Sequence, residues 1–170
     1  MFYLSDLFIL GFNYLFLTSF ENALHKASHH KSSGKLYRWH KLHHKDYPVT
    51  RLESDTYIDS SDWFSNMFAI YSLSSMGILY FASSHRVFAI ISTEALAYSM
   101  LITYLHEQFH LKKSWLLKYK WFKRHKRKHL IHHIKQDKNY SFLTTNIDKL
   151  QNSYLCDNER FNTVEYLAVS

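Results

Sequence analysis

The 170-residue chain holds one cysteine, Cys156, one proline, Pro48, and only three glycines. A lone cysteine excludes an internal disulfide and a CxxC metal knuckle, so any metal must rest on nitrogen or oxygen. The scarcity of proline and glycine argues against turn-rich β architectures and for long helices. Acidic residues are also few: 14 against 21 lysines and arginines, a formal net charge of +7. Such a balance suits nucleic acid or an anionic membrane surface. The placement of the charge separates the two. Lysine and arginine crowd into 26–51 and 112–138, and apolar segments lie between. That alternation follows membrane topology. The apolar runs and the absence of cysteine pairs for a structural zinc set nucleic-acid binding aside.

Three apolar runs are long enough to cross a bilayer. Residues 2–20 carry Asp6 and Asn13 as polar exceptions. The run lacks the basic leader and small-residue cleavage site of a signal sequence, so it is expected to remain a span. Residues 64–82 carry no charge, and 86–105 are apolar apart from Arg86 at the edge and Glu94 in the middle. Only Ser83, Ser84 and His85 separate these two runs, which predicts a tight helical hairpin. The expected fold is all-α: an integral membrane helical bundle with a histidine-rich helical cap. Residues 1–154 form one domain and 155–170 a C-terminal tail.

Against these absences stands an excess of histidine, 13 in all. Ten fall into four clusters: His25/His29, His40/His43/His44, His106/His110 and His129/His132/His133. HxxxH places two imidazoles one helical turn apart on one face, and HxxHH adds a third close by. Imidazole is a favoured ligand of iron, zinc, copper and nickel. One cluster alone is a common feature of a solvated basic face. Four in order, at the ends of apolar spans, point to a two-metal site. The predicted topology gathers all four on one side of the membrane, which the lysine and arginine excess marks as cytoplasmic. His85 falls at the far turn and is excluded. His30 could replace His29 as a ligand, and His125 is a second uncertain member, either behind the site or part of the basic surface.

Three further readings attach to single residues. HEQFH at 106–110 satisfies the bare HExxH pattern of zinc peptidases, but that reading leaves the other eight clustered histidines unexplained. Glu107 could instead hydrogen-bond an imidazole of another helix. Glu94 lies near mid-membrane, where a carboxylate is costly; it is either packed and protonated or faces a substrate passage. The Pro48 ring disfavours helix at the residue before it, so the helix carrying His40–His44 should end near Tyr47.

The order HxxxH, HxxHH, apolar hairpin, HxxxH, HxxHH resembles the fatty acid hydroxylase/sterol desaturase superfamily over roughly 20–154. LYRWHKLHHKDYP resembles its second box. HLIHHIKQDKNYSF, with Asn139-Tyr140, resembles its last, and TTNIDKLQNSY, with Asp148, is similar to the segment that often follows. Three departures stand out: room for one span before the first box, a small insertion at 31–35, and Ser141 where glycine is common.

The resemblance implies a membrane-bound di-iron oxygenase using O2 and two electrons to hydroxylate or desaturate a fatty acyl chain or sterol. It implies two iron ions, with zinc as a substitute, on His25, His29, His40, His43, His44, His106, His110, His129, His132 and His133. It implies a lipid substrate and an electron donor such as cytochrome b5 or ferredoxin with its reductase. The ER membrane is expected in a eukaryotic host and the plasma membrane in a bacterial one. Carotenoid hydroxylases share the box order and the short length. A non-catalytic membrane metal-binding or transport protein is the alternative of a different class.

Overall fold

A computed structural model describes residues 3–60, 76–77 and 79–155. The expected second span at 64–82 lies largely outside the described residues, as does nearly all of the tail at 155–170. Five α-helices make up the described fold: α1 (Leu4–Ser28), α2 (Lys35–Asp46), α3 (His85–His110), α4 (Lys120–Ile134) and α5 (Asn146–Leu150). No strand occurs among the described residues; Ser54 and Leu111 form one isolated bridge.

α1 and α3 are long, apolar and packed on each other, and both have the length and composition to cross a membrane. Each continues past its apolar run, α1 to Ser28 and α3 to His110, so the first and third histidine clusters ride on the last turns of the spans. At the opposite end Arg86 of α3 pairs with Asp6 of α1. The stretch from Arg86 to His106 rises about 30 Å at 1.5 Å per residue, the hydrocarbon thickness of a bilayer. His85 therefore lies far from the other clusters, as the sequence predicts. Outward faces of both helices are bare and apolar: Leu4 is 84% exposed, Phe8 76% and Met100 66%. Their facing sides bury Leu17, Ala95, Tyr98, Ile102 and Leu105, joined by Phe109, Leu116, Phe122 and Phe142 in one core. Midway along, Asn13 Nδ2 donates to Glu94 Oε2 at 2.8 Å. Glu94 is thus engaged between the two helices.

Local chemistry fixes the turns. The Ser84 hydroxyl accepts the Val87 N–H and starts α3. The short insertion forms a single 3-10 turn at Lys31–Ser33. Gly34 then adopts φ 59°, a conformation glycine takes without steric cost, and turns the chain into α2. α2 stops at Asp46, with Tyr47 non-helical ahead of Pro48, as expected.

Candidate metal centre

The four clusters converge. α1 brings His25 and, at its C-cap, His29; α2 brings His40, His43 and His44, α3 brings His106 and His110, and α4 brings His129, His132 and His133. Two groups emerge, each with ligand atoms all within 4.8 Å of one another: His25, His29, His40 and His132, and His43, His110, His129 and His133. His44 Nε2 lies 3.0 Å from His40 Nε2, and His106 Nε2 lies 3.1 Å from His43 Nε2, so these two border the groups. The HxxHH triplets are divided between the groups: His40 and His132 go to one, His43, His129 and His133 to the other. Adjacent His132 and His133 diverge because neighbouring residues on a helix point about 100° apart.

Loop carbonyls aim the rings. His25 Nδ1 meets the Tyr140 carbonyl, His110 Nδ1 that of Leu52 at 2.9 Å, His132 Nδ1 that of Lys138 at 2.7 Å, and His133 Nδ1 that of Tyr47 at 3.1 Å. A carbonyl can only accept, so each of these Nδ1 atoms carries the proton and Nε2 presents its lone pair. Pro48 matters here: by ending α2 it leaves the Tyr47 carbonyl free of the helix ladder. The Tyr47 ring also stacks on His110, with centroids 3.8 Å apart.

Proton sharing alone does not satisfy this arrangement. His29 Nε2 lies 2.8 Å from His40 Nε2 and 3.1 Å from His132 Nε2, and one N–H cannot point at both. His43 Nε2 likewise lies 3.1 Å from both His106 Nε2 and His133 Nε2. A neutral imidazole nitrogen is either donor or acceptor. A cation held at roughly 2.1 Å by two cis nitrogens would place those nitrogens about 3 Å apart, which matches the spacing. The residues present therefore fit bound metal. Burial drives the imidazoles of His40, His43, His44, His129, His132 and His133 well below their ordinary range, and the neighbouring rings add to it. His29 is lowered to about 4, again chiefly by burial. All are neutral near pH 7, the form that binds metal.

Of the two uncertain residues, His30 is exposed and belongs to neither group. His125 also stands outside both, half-buried near the Phe142 backbone, with its pKa lowered to about 4 mainly by burial. Glu107 is half-buried near Asp59 and Tyr57. His29→Ala is expected to weaken metal retention at one site by at least about 10-fold, the loss that even a ligand's supporting partner produces. His30→Ala should leave metal content at the wild-type level, measured by elemental analysis of the purified protein.

A polar layer that spacing did not reveal supports the centre. Asp148 is fully buried and accepts the N–H groups of Tyr140 (2.9 Å) and Ser141 (3.1 Å), the Ser153 hydroxyl (3.0 Å) and Asn22 Nδ2 (3.1 Å). Asn22 also donates to Ser141 Oγ at 2.7 Å, which gives the serine at this position a partner. Glu21 accepts the Phe142 N–H and the Tyr98 hydroxyl. Asn139 takes a left-handed φ of 54°, which asparagine tolerates, and exchanges two 2.9 Å hydrogen bonds with the Leu155 backbone. Together these hold the 138–142 loop, whose carbonyls orient His25 and His132 and whose Phe142 stacks on His25. Glu21 and Asn22 sit one turn from His25, and that proximity on a membrane helix was the one sequence signal for them.

A model of the fatty acid hydroxylase family matches residues 10–153. The chain belongs to the fatty acid hydroxylase family. Comparison with curated proteins and with solved structures returned no match. The two observations agree: the match spans all four histidine clusters, and the family domain with its gathered imidazoles fits a membrane di-iron oxygenase. The two apolar helices accord with the membrane setting of such an enzyme.

Proposed function

We propose that this fatty acid hydroxylase family member holds two irons on its ten clustered histidines and uses O2 and two electrons to hydroxylate or desaturate a membrane lipid. The observation that carries the reading is the convergence of two four-histidine groups at the ends of two apolar helices. Bound iron would supply dioxygen activation and removal of hydrogen from an unactivated C–H bond.

The chain's own residues perform the rest. The loop carbonyls of Leu52, Tyr47, Lys138 and Tyr140 engage Nδ1 and so leave Nε2 of His110, His133, His132 and His25 free to hold iron, and the buried Asp148 layer holds the 138–142 carbonyls. Phe142 packs on His25, His106 and His129 and Phe109 on His129, which would shield that side of the cluster from water, a condition for protecting a reactive oxidant. On the membrane side an apolar groove of about 460 Å³, lined by Phe8, Phe12, Phe16, Leu79, Val87 and Ile91, is of a size to take part of a lipid chain. The substrate would enter from the bilayer along it. A donor of the cytochrome b5 or ferredoxin type would meet the basic outer face of α4, where the exposed Lys123, Arg124 and Arg127 line a pocket of about 500 Å³. By the positive-inside rule the histidine end would face the cytoplasm.

Metal stoichiometry on detergent-purified protein from iron-supplemented cells tests the centre. About two irons per chain are expected from two four-histidine groups. A well-folded protein without bound metal would refute convergence as a metal site. Lipid extracts of expressing cells then separate acyl, sterol and carotenoid products.

A further inference from the structure

The segment between α3 and α4 plays no part in the metal centre, yet its composition is unusual. Residues 111–121 read LKKSWLLKYKW, and from 112 to 128 there are nine lysines and arginines with no acidic residue. Leu116 turns inward to the core. Trp115, Tyr119 and Trp121 turn outward, at 59%, 38% and 48% exposure. Lys112, Lys113, Lys118 and Lys120 are exposed around them. Lys118 Nζ lies 5.1 Å from the ring centres of both Trp115 and Tyr119. Large aromatics grouped on a surface mark a contact with something.

A second observation says what that contact is. Trp115 Nε1 donates to the Tyr104 hydroxyl at 2.7 Å. Tyr104 lies in the last two turns of the apolar helix α3 and is itself 40% exposed. The indole is therefore drawn back to the level at which the spanning helix ends. Tryptophan and tyrosine gather at that level because their rings are apolar at one end and polar at the other. Lysines beside them meet the phosphates of anionic lipid.

We propose that residues 112–121 are an interfacial anchor that seats the histidine-bearing end of the protein on a leaflet carrying anionic phospholipid. Trp115, Tyr119 and Trp121 enter the headgroup boundary, and Lys112, Lys113, Lys118 and Lys120 pair with lipid phosphates. The inference rests on the membrane setting and not on the oxidation reaction, so loss of one leaves the other standing.

The test uses the full chain, as a Trp39→Phe, Trp63→Phe variant, reconstituted into phosphatidylcholine bilayer discs. These carry equal fractions of either brominated phosphatidylcholine or brominated phosphatidylglycerol. Tryptophan emission then reports which lipid touches Trp115 and Trp121. Stronger quenching by the anionic lipid is expected, corresponding to a local enrichment of roughly five-fold or more, the effect of one basic residue near a charged leaflet. The preference should fall at high salt and vanish in Lys112→Gln, Lys113→Gln, Lys118→Gln, Lys120→Gln, with metal content unchanged. Equal quenching by both lipids overturns the proposal. So does loss of the preference on adding soluble glycerol phosphate, which would indicate a pocket for free anions. Absence of quenching by either lipid also overturns it and would leave the face to an acidic protein. Should the quadruple variant fail to fold, the comparison of the two lipids on the tryptophan-reduced protein still decides.

Discussion

Asp148→Ala is expected to strip metal from the protein and lower its stability by about 3–5 kcal/mol, the range for removing one member of a buried, charge-assisted network. Asp148 touches no histidine. Its carboxylate is the shared acceptor for two backbone N–H groups, one hydroxyl and one amide, all buried. Alanine leaves those donors without a partner, and each buried unsatisfied group costs about 1–3 kcal/mol. The loss is transmitted through the loop, because the Tyr140 and Lys138 carbonyls would no longer be held against His25 and His132. Both rings belong to the same four-histidine group, so that half of the centre should empty first. Thermal unfolding in detergent and metal analysis of the folded fraction check the two parts separately. Asp148→Asn, which keeps the shape but loses the charge, should fall between. Wild-type metal content and melting temperature in the alanine variant would show that the loop is held by other means.

The second large effect is expected in a His43→Ala, His132→Ala double variant. His43 belongs to one four-histidine group and His132 to the other, so the pair removes a central imidazole from each. Metal affinity should fall by well over 100-fold at both sites, since the loss of supporting partners alone costs about 10–100-fold. The lipid product should disappear. Stability should fall as well, because the ions no longer favour the folded state, each truncated ring leaves a cavity, and the Lys138 carbonyl loses its partner. Treatment of the wild type with a chelator should mimic the variant in activity. It should also lower the melting temperature, because ions bound only by the folded state stabilise it. Identical lipid profiles for wild type and double variant at equal expression would count against the oxygenase reading while leaving the metal centre to be judged on its own stoichiometry.

Much of this protein can be read before any folding is known. The apolar runs at 2–20 and 86–105, the scarcity of proline and glycine, and the basic stretches between them suffice for an all-helical chain with helices long enough to span a membrane. The stop at Pro48 follows from sterics, and the far position of His85 from counting residues along a helix. The ten histidines could be named because HxxxH and HxxHH are local patterns: a helix with a fixed 100° turn places those rings near one another whatever else the chain does.

Other features belong to the tertiary structure alone. Spacing left His29 and His30 as equals; packing brings the first, half-buried, into a four-histidine group and leaves the second exposed, because only one of two adjacent residues just past the end of α1 can point at His40 and His132. Spacing does not say whether an HxxHH triplet serves one ion or two; the gathering of the four clusters divides both triplets. Asp148 could be singled out only through the family resemblance, and Glu21 and Asn22 only by standing one turn from His25; what these residues and the loop carbonyls hold is not written in local pattern. Their partners lie from several to more than a hundred residues away, and a carbonyl oxygen is common to every residue type. Local repeats set by helix geometry are thus legible in the order of residues. The choice of which nitrogen faces inward, and what holds it there, arises only when distant segments are brought together and each buried polar group must find a partner.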